Sequence, residues 1–488
     1  MRDFLAQWED RPGAYVKQDE AESFTHSELN QLARTNAGKL AGWNLRGENV
    51  ALLANNSADW IVSYWSLVFA GATVVPLSPG FTERELLTLM KLCDCRWIVC
   101  DQKNEKSARK LSQNIHIGQL TISNGDFNIA TAPKSFVERT RPTPAPVLCV
   151  TSGSTGTAKA VMLSDENLEA NTQSHIESLS LSSRDIVLIT LPLHYSYAHT
   201  AQFLSHTRLG GTIVLYDRPI FSPRRFCQLI ERHGVTITSV VPTLVQILNN
   251  YRYLEEHDLS SLRYLCCGGA PLETTAVRSL MARLPHTRFV HTYGLTEASP
   301  RVTTLPPETG LSRLPSIGKP VPGVEVRIVA ENGEPAANGE VGELQVRGKN
   351  VMAGYYGSPG ETHAVVNDGW LSTGDLARLD NEGYIYLAGR KKNIIISDGI
   401  NVHPEEIESV LLEHPSVSDA VIRGEYTADA GEVIAAHVAT RNGDALSLQH
   451  LHEFMRGKLA EWKWPRRLYL HPAMTRTETG KIRRCDVQ

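Results

Sequence analysis

Six short apolar runs, VALLA, TVVPL, RWIVC, DIVLITL, GTIVLY and VTITSVV, recur through the first half of the chain with segments of helical pattern between them. Strands apolar along their whole length need cover on both faces of a sheet, and intervening helices supply it while returning each strand parallel to the last. The chain is therefore expected to be α/β. The first helix is marked by Thr25-His26-Ser27-Glu28, a capping box ahead of Leu29, Leu32, Ala33 and Leu40. Residues 60–82 contain no charge and are long enough to span a bilayer. Gly71 interrupts them, however, the ATVVPL that follows is β-branched, and no basic flank anchors the run. A buried helix leading into a buried strand is expected, and no membrane span.

A chain of 488 residues exceeds what one core supports, so two or more domains are expected. Residues 133–146, rich in Pro and Thr, are expected to cross the surface. After about residue 320 short strands and Gly-rich turns indicate a small β-rich subdomain. Beyond Arg390 a mixed helix and strand pattern indicates a further α+β unit of about 100 residues.

The formal charge of −4 offers no electrostatic case for nucleic acid or an anionic membrane, so an anionic ligand has to be held by local groups. Eight cysteines are too sparse for a disulfide scaffold and fit a reducing compartment, the cytoplasm. Cys93, Cys95 and Cys100 lack the fourth ligand of a metal site and read as buried thiols. The N-terminal MRDFLAQWEDRPG has acidic residues and no apolar run, unlike a signal peptide.

The segment with most chemistry is VLCV-TSGSTGTAK-AVML, a strand, a loop of small hydroxylated residues and glycines, a lysine and a second strand. Glycines admit close backbone approach to an anion, and hydroxyl and N–H groups donate to phosphate oxygens. It is not a Walker A loop, because Ala158 and Ala160 flank Lys159 and the continuation reads as strand.

Three further segments join it: YGLTEAS at 293–299, GWLSTGDLARLDNEGYIYLAGRKKN at 369–393 and TRTETGKIRR at 475–484. Together the four resemble the core motifs of the adenylate-forming superfamily of acyl-CoA synthetases, luciferases and peptide-synthetase adenylation domains. The resemblance implies a large N-terminal domain of mostly parallel sheets covered by helices plus a small β-rich subdomain, residues 1–391. A small α+β C-terminal lid, residues 392–488, would close the site.

The resemblance also implies roles for residues. Thr151, Ser152, Gly153, Ser154, Thr155, Gly156, Thr157 and Lys159 would cover the phosphates of ATP. Gly268, Gly269, Ala270 and Pro271 would border adenine, with Tyr293 and Gly294 against the ring. Thr296 would contact phosphate and Glu297 would hold Mg²⁺, which in nucleotide sites takes one or two carboxylates. Asp375 would accept from both ribose hydroxyls, with Arg390 fixing the sugar. Lys392 would be the hinge, and Lys481 the ammonium that neutralises charge during adenylation.

The acid would be held by LPLHYSYAHT at 191–200, through Tyr195, Tyr197, Ala198 and His199, and by His291. Tyr195 stands where many acyl-CoA synthetases carry histidine, the histidine here being His194. Ala198 stands where amino-acid-activating relatives carry aspartate, so an α-amino acid would lose its countercharge. Tyr, Ala and His suit a neutral aliphatic or aromatic acid. The acceptor is expected to be a thiol, either CoA or the phosphopantetheine of a separate carrier protein, with an amine as the rival. Asp398 stands where thioester-forming relatives often have glycine. A catalytically silent nucleotide-binding relative is the other rival, against which the retained Glu297, Asp375, Arg390 and Lys481 speak.

Overall fold

Each buried strand divides its side chains between two layers, and that division builds the architecture. In strand Asn49–Leu53, Val50 and Leu52 enter one core while Ala51 and Leu53 enter another. In strand Ile186–Ile189, Val187 and Ile189 enter that first core and Leu188 a third. Two sheets thus share one interior layer of helices. The computed structural model describes Phe4 and residues 15–18, 22–43, 45–131, 145–151, 158–216, 218, 220–397, 400–427, 431–476 and 482–487. Most of the surface crossing expected at 133–146 lies outside these residues.

Among the described residues one sheet has nine strands, with a parallel centre formed in order by Arg288–Gly294, Tyr264–Gly268, Ile237–Val240, Ile186–Ile189, Thr212–Leu215 and Tyr15–Gln18. The second has eight, with a parallel centre of Val147–Thr151, Thr73–Leu77, Asn49–Leu53, Cys95–Asp101 and Gly118–Ser123. Antiparallel strands close the edges of both.

Helix Ala58–Ala70 lies in the shared layer, capped by Ser57, whose side chain accepts from Trp60 N, and ended by Gly71 at φ 81°. Its Trp60, Tyr64, Trp65 and Leu67 are each at most 1% exposed. A helix apolar all round belongs between two sheets rather than on a surface. Strand Thr73–Leu77 follows directly, so 60–82 is the expected buried helix and strand. No helix among the described residues is long and apolar enough to cross a membrane. The expected capping box before helix His26–Ala41 is present, with Thr25 Oγ1 accepting from Glu28 N and Glu28 Oε2 accepting from Thr25 N.

Cys93, Cys95 and Cys100 pack in the apolar layer beneath helices Glu83–Leu92 and Glu105–Ile115, and burial pushes the Cys100 thiol up to about 12. Strands Val324–Val329, Gly342–Gly348, Val366–Asn367, Trp370–Leu379 and Ile385–Arg390 form the β-rich subdomain as one antiparallel sheet. A separate core, with Ile407, Leu411, Ile422, Ile434 and Leu451, joins helices Pro404–Leu412 and Leu448–Met455 to strands Val417–Thr427, Gly431–Thr440 and Arg467–His471. The fold is the expected α/β body with a small α+β C-terminal unit.

Candidate active site

Open parallel sheets bind ligands beyond the carboxyl ends of their strands. Here strands Tyr264–Gly268 and Arg288–Gly294 end side by side, with Gly268 paired to Thr292. A Cβ on Gly268 would lie 2.3 Å from the Thr292 carbonyl oxygen, and one on Gly294 1.6 Å from that of Pro300. Neither distance is attainable, so both positions require glycine. Gly269, at φ +88°, then turns the chain outward through half-buried Ala270 to exposed Pro271.

Next to this edge stands Asp375, 5% exposed, on strand Trp370–Leu379 and in register with Arg390. Tyr293 Oη donates to Asp375 Oδ2 at 2.6 Å, and Arg390 Nε lies 2.6 Å from Oδ1. Burial, and then the Asp375 charge, holds the Tyr293 phenol well above its usual range, so it stays a donor. Asp375 is thus a buried carboxylate oriented at this edge by a phenol and a guanidinium.

Glu297 lies in the short turn Thr296–Ala298 that follows strand Arg288–Gly294. Tyr355 Oη donates to Glu297 Oε1 at 2.9 Å, and burial followed by the Glu297 charge raises the phenol above its usual range. Lys159 Nζ sits 4.6 Å from the centre of the Tyr355 ring and 3.2 Å from Glu361 Oε1. The lysine of the small-residue loop and the carboxylate of the 293–299 motif thus meet across one aromatic ring. Nothing in the sequence reading pointed to Tyr355, which is 58 residues from Glu297. Among the described residues no three metal-ligating side chains gather. A single carboxylate held by a neutral donor, as Glu297 is, would suit Mg²⁺ arriving on a nucleotide, which supplies most of its own oxygens.

The 191–200 segment runs into a π-helix, Tyr197–Leu204, a form that often marks functional positions. Ser196 Oγ hydrogen-bonds Thr296 Oγ1 at 2.9 Å and Tyr197 Oη hydrogen-bonds Thr292 Oγ1 at 3.1 Å, tying this helix to the strand that carries Tyr293. Ala198 is fully buried, and Tyr195, half-buried, packs against His194 with ring centres 4.4 Å apart. His199 sits among Trp60, Tyr64 and Phe203, and burial lowers it to about 3. His291 Nδ1 is 2.8 Å from the Ser316 carbonyl oxygen, and burial lowers that ring to about 4. Both imidazoles are neutral at physiological pH.

Thr151 closes its strand half-buried, whereas Ser152, Gly153, Ser154, Thr155, Gly156 and Thr157 lie outside the described residues, as do Asp398 and Lys481. Lys392 is exposed in the turn Lys391–Asn393, its pKa lowered by partial burial and then by Arg390 and Arg484. The residues brought together are therefore Lys159, Tyr293, Gly294, Thr296, Glu297, Asp375, Arg390 and Tyr197.

The model of the AMP-binding enzyme family matches residues 2–356, and that of the AMP-binding enzyme C-terminal domain residues 406–481. A long-chain-fatty-acid–CoA ligase of Bacillus subtilis is 31% identical over 478 residues, covering 90% of this chain and 85% of its own. A feruloyl-CoA synthase of an Amycolatopsis species is 31% identical, covering 96% of this chain and 94% of its own. Among solved structures, the o-succinylbenzoate coenzyme A synthetase of Bacillus subtilis in complex with ATP and magnesium ion superposes with a TM-score of 0.87 at 28% identity, covering 99% of this chain and 98% of that one. The amide bond synthetase of Marinactinospora thermotolerans does so at 0.87 and 28%, covering 100% and 98%.

Proposed function

The chain belongs to the AMP-binding enzyme family, and on that premise we propose that it is an AMP-forming acid–CoA ligase. An oxygen of the acid's carboxylate attacks the α-phosphorus of ATP, and the bond to the bridging oxygen breaks so that pyrophosphate leaves with the electron pair. The CoA sulfur then attacks the acyl carbon of the acyl-AMP, and the C–O bond breaks to release AMP. The observation that carries this reading is the Tyr293–Asp375–Arg390 cluster, a buried carboxylate oriented by two donors at the sheet edge where a nucleotide would lie. In this reading Gly268, Gly269, Ala270 and Pro271 border adenine, Asp375 takes the ribose hydroxyls, and residues 151–159 cover the phosphates.

Mg²⁺ bound with ATP would be held by Glu297 and would neutralise triphosphate charge. Tyr355 fixes the Glu297 carboxylate through the bond described above, and Thr296 offers a hydroxyl to phosphate. Lys481 would supply an ammonium to the α-phosphate, the preorganised stabilisation most effective where charge builds. Residues 1–391 form the adenylation domain and 392–488 the lid, which turns about Lys392 between the two half-reactions. A carrier protein's phosphopantetheine is the alternative thiol. An amine is the second acceptor reading, favoured by the likeness to an amide bond synthetase and by Asp398 where glycine is usual.

A screen of fatty, aryl and amino acids for ATP-dependent pyrophosphate release tests the first half-reaction. Mass analysis with CoA, carrier protein or amine added tests the second. Release with a non-amino acid and a CoA thioester as product is expected. A clear preference for an α-amino acid, or an amide as the sole product, contradicts the proposal.

A further inference from the structure

Resting on that acid-activating reading, we propose that the acid carries a second anionic group, held side-on by Arg301 through Nε and Nη2. Arg301 opens the strand Arg301–Thr304 and is 3% exposed. Its backbone is clamped by Asn171, whose Oδ1 accepts from Arg301 N at 3.1 Å and whose Nδ2 donates to Arg301 O at 2.7 Å. The guanidinium carbon lies 5.1 Å from the centre of the Tyr197 ring, the same tyrosine whose hydroxyl is bound to Thr292 beside the nucleotide edge. The cation is thus presented at the segment expected to hold the acid.

Among the described residues nothing neutralises it. Arg301 Nε and Nη2 are buried without a hydrogen-bond partner, and no carboxylate pairs with it among the described residues. Its neighbours His175 and Cys266 carry no negative charge: burial and then Arg301 itself keep His175 neutral, and burial raises the Cys266 thiol to about 11. A ring face compensates a buried cation only in part, and desolvated charges are retained where a counterion completes them. Nε and Nη2 form one edge of the planar guanidinium, and their parallel N–H bonds match two oxygens of one carboxylate, sulfonate or phosphonate. The sequence alone pointed to a neutral acid because it gave no reason to bury this arginine.

The test compares pentanoate with glutarate, benzoate with isophthalate, and propanoate with 3-sulfopropanoate, on the full-length wild type, Arg301→Met and Arg301→Lys. Pyrophosphate release gives kcat/KM for each acid, and thermal shift gives binding independently of chemistry. The wild type is expected to prefer the second-anion member of at least one pair. Arg301→Met should cut that preference ratio by about 10²-fold, the scale of losing one partner of a buried charge pair. Arg301→Lys should restore it in part, since an ammonium keeps the charge but not the fork. A purely structural arginine would lower both members of a pair alike, and an unchanged ratio, or preference for the single-charge member throughout, overturns the proposal. Should glutarate, isophthalate or 3-sulfopropanoate raise the melting temperature only when Arg301 is present while no acid releases pyrophosphate, the second-anion site stands and the ligase reading fails.

Discussion

Among the described residues the carboxylate of Glu297 is held by one neutral donor, Tyr355, and this makes its contribution separable by substitution. Glu297→Gln keeps the shape and removes the charge, so adenylation should need much more magnesium; unchanged magnesium dependence would show that Glu297 is not the metal ligand. Tyr355→Phe removes only the support. Because a hydrogen bond to a charged group is worth about 1.5–3 kcal/mol, the KM for Mg·ATP should rise by about 10- to 10²-fold with the acid KM unaffected. Steady-state kinetics against both substrates separates these outcomes. The two residues also mark how far the sequence could be read at this scale. Glu297 was legible because it sits inside a dense local motif. Tyr355 and Arg301 were not, since a tyrosine far along the chain and an arginine after a proline signal nothing locally; only tertiary packing turns one into a carboxylate support and the other into a buried cation.

Helix Pro404–Leu412 carries Glu408, whose Oε1 accepts from Ile422 N at 2.7 Å while Oε2 lies 2.5 Å from Arg484 Nη2. Burial raises Glu408 from 4.5 to about 7, with Arg484 and the Ile422 N–H opposing that shift and Glu405 adding to it. The folded unit then keeps a proton that the unfolded chain releases. The stabilisation from this proton is complete below pH 4.5 and is lost as pH climbs through about 7. The melting temperature of the wild type should therefore fall relative to that of Glu408→Gln between pH 5 and 7, and parallel curves would contradict the assignment. Elements themselves were largely legible. Buried strands and the 60–82 helix and strand followed from apolar runs, Gly71 and the β-branched residues after it. That the parallel strands split into two sheets around one helical layer was not, because a strand's period of two gives its faces and not its partners. The π-helix Tyr197–Leu204 was equally silent, as YAHTAQFL carries no pattern separating it from an ordinary helix.

At the scale of the whole molecule, the proposed mechanism requires the 392–488 lid to present Lys481 for adenylation and then withdraw it. Lys481→Ala should slow pyrophosphate release by about 10²-fold or more, yet leave thioester formation from supplied acyl-AMP nearly intact. Lys392→Pro, which fixes φ at the pivot, should do the reverse. Equal slowing of both steps by Lys481→Ala would mean that the lid does not alternate. The acyl-AMP is the intermediate on which both half-reactions turn, and following the oxygen atoms detects it. An acid found active in the pyrophosphate screen is labelled with ¹⁸O in its carboxylate and turned over with ATP and CoA, and the products are weighed by mass spectrometry. Attack of the carboxylate on the α-phosphorus, followed by cleavage of the acyl C–O bond, must leave a single ¹⁸O in AMP and none in pyrophosphate. Label in pyrophosphate or free phosphate, or AMP without label, would rule out an acyl-AMP intermediate.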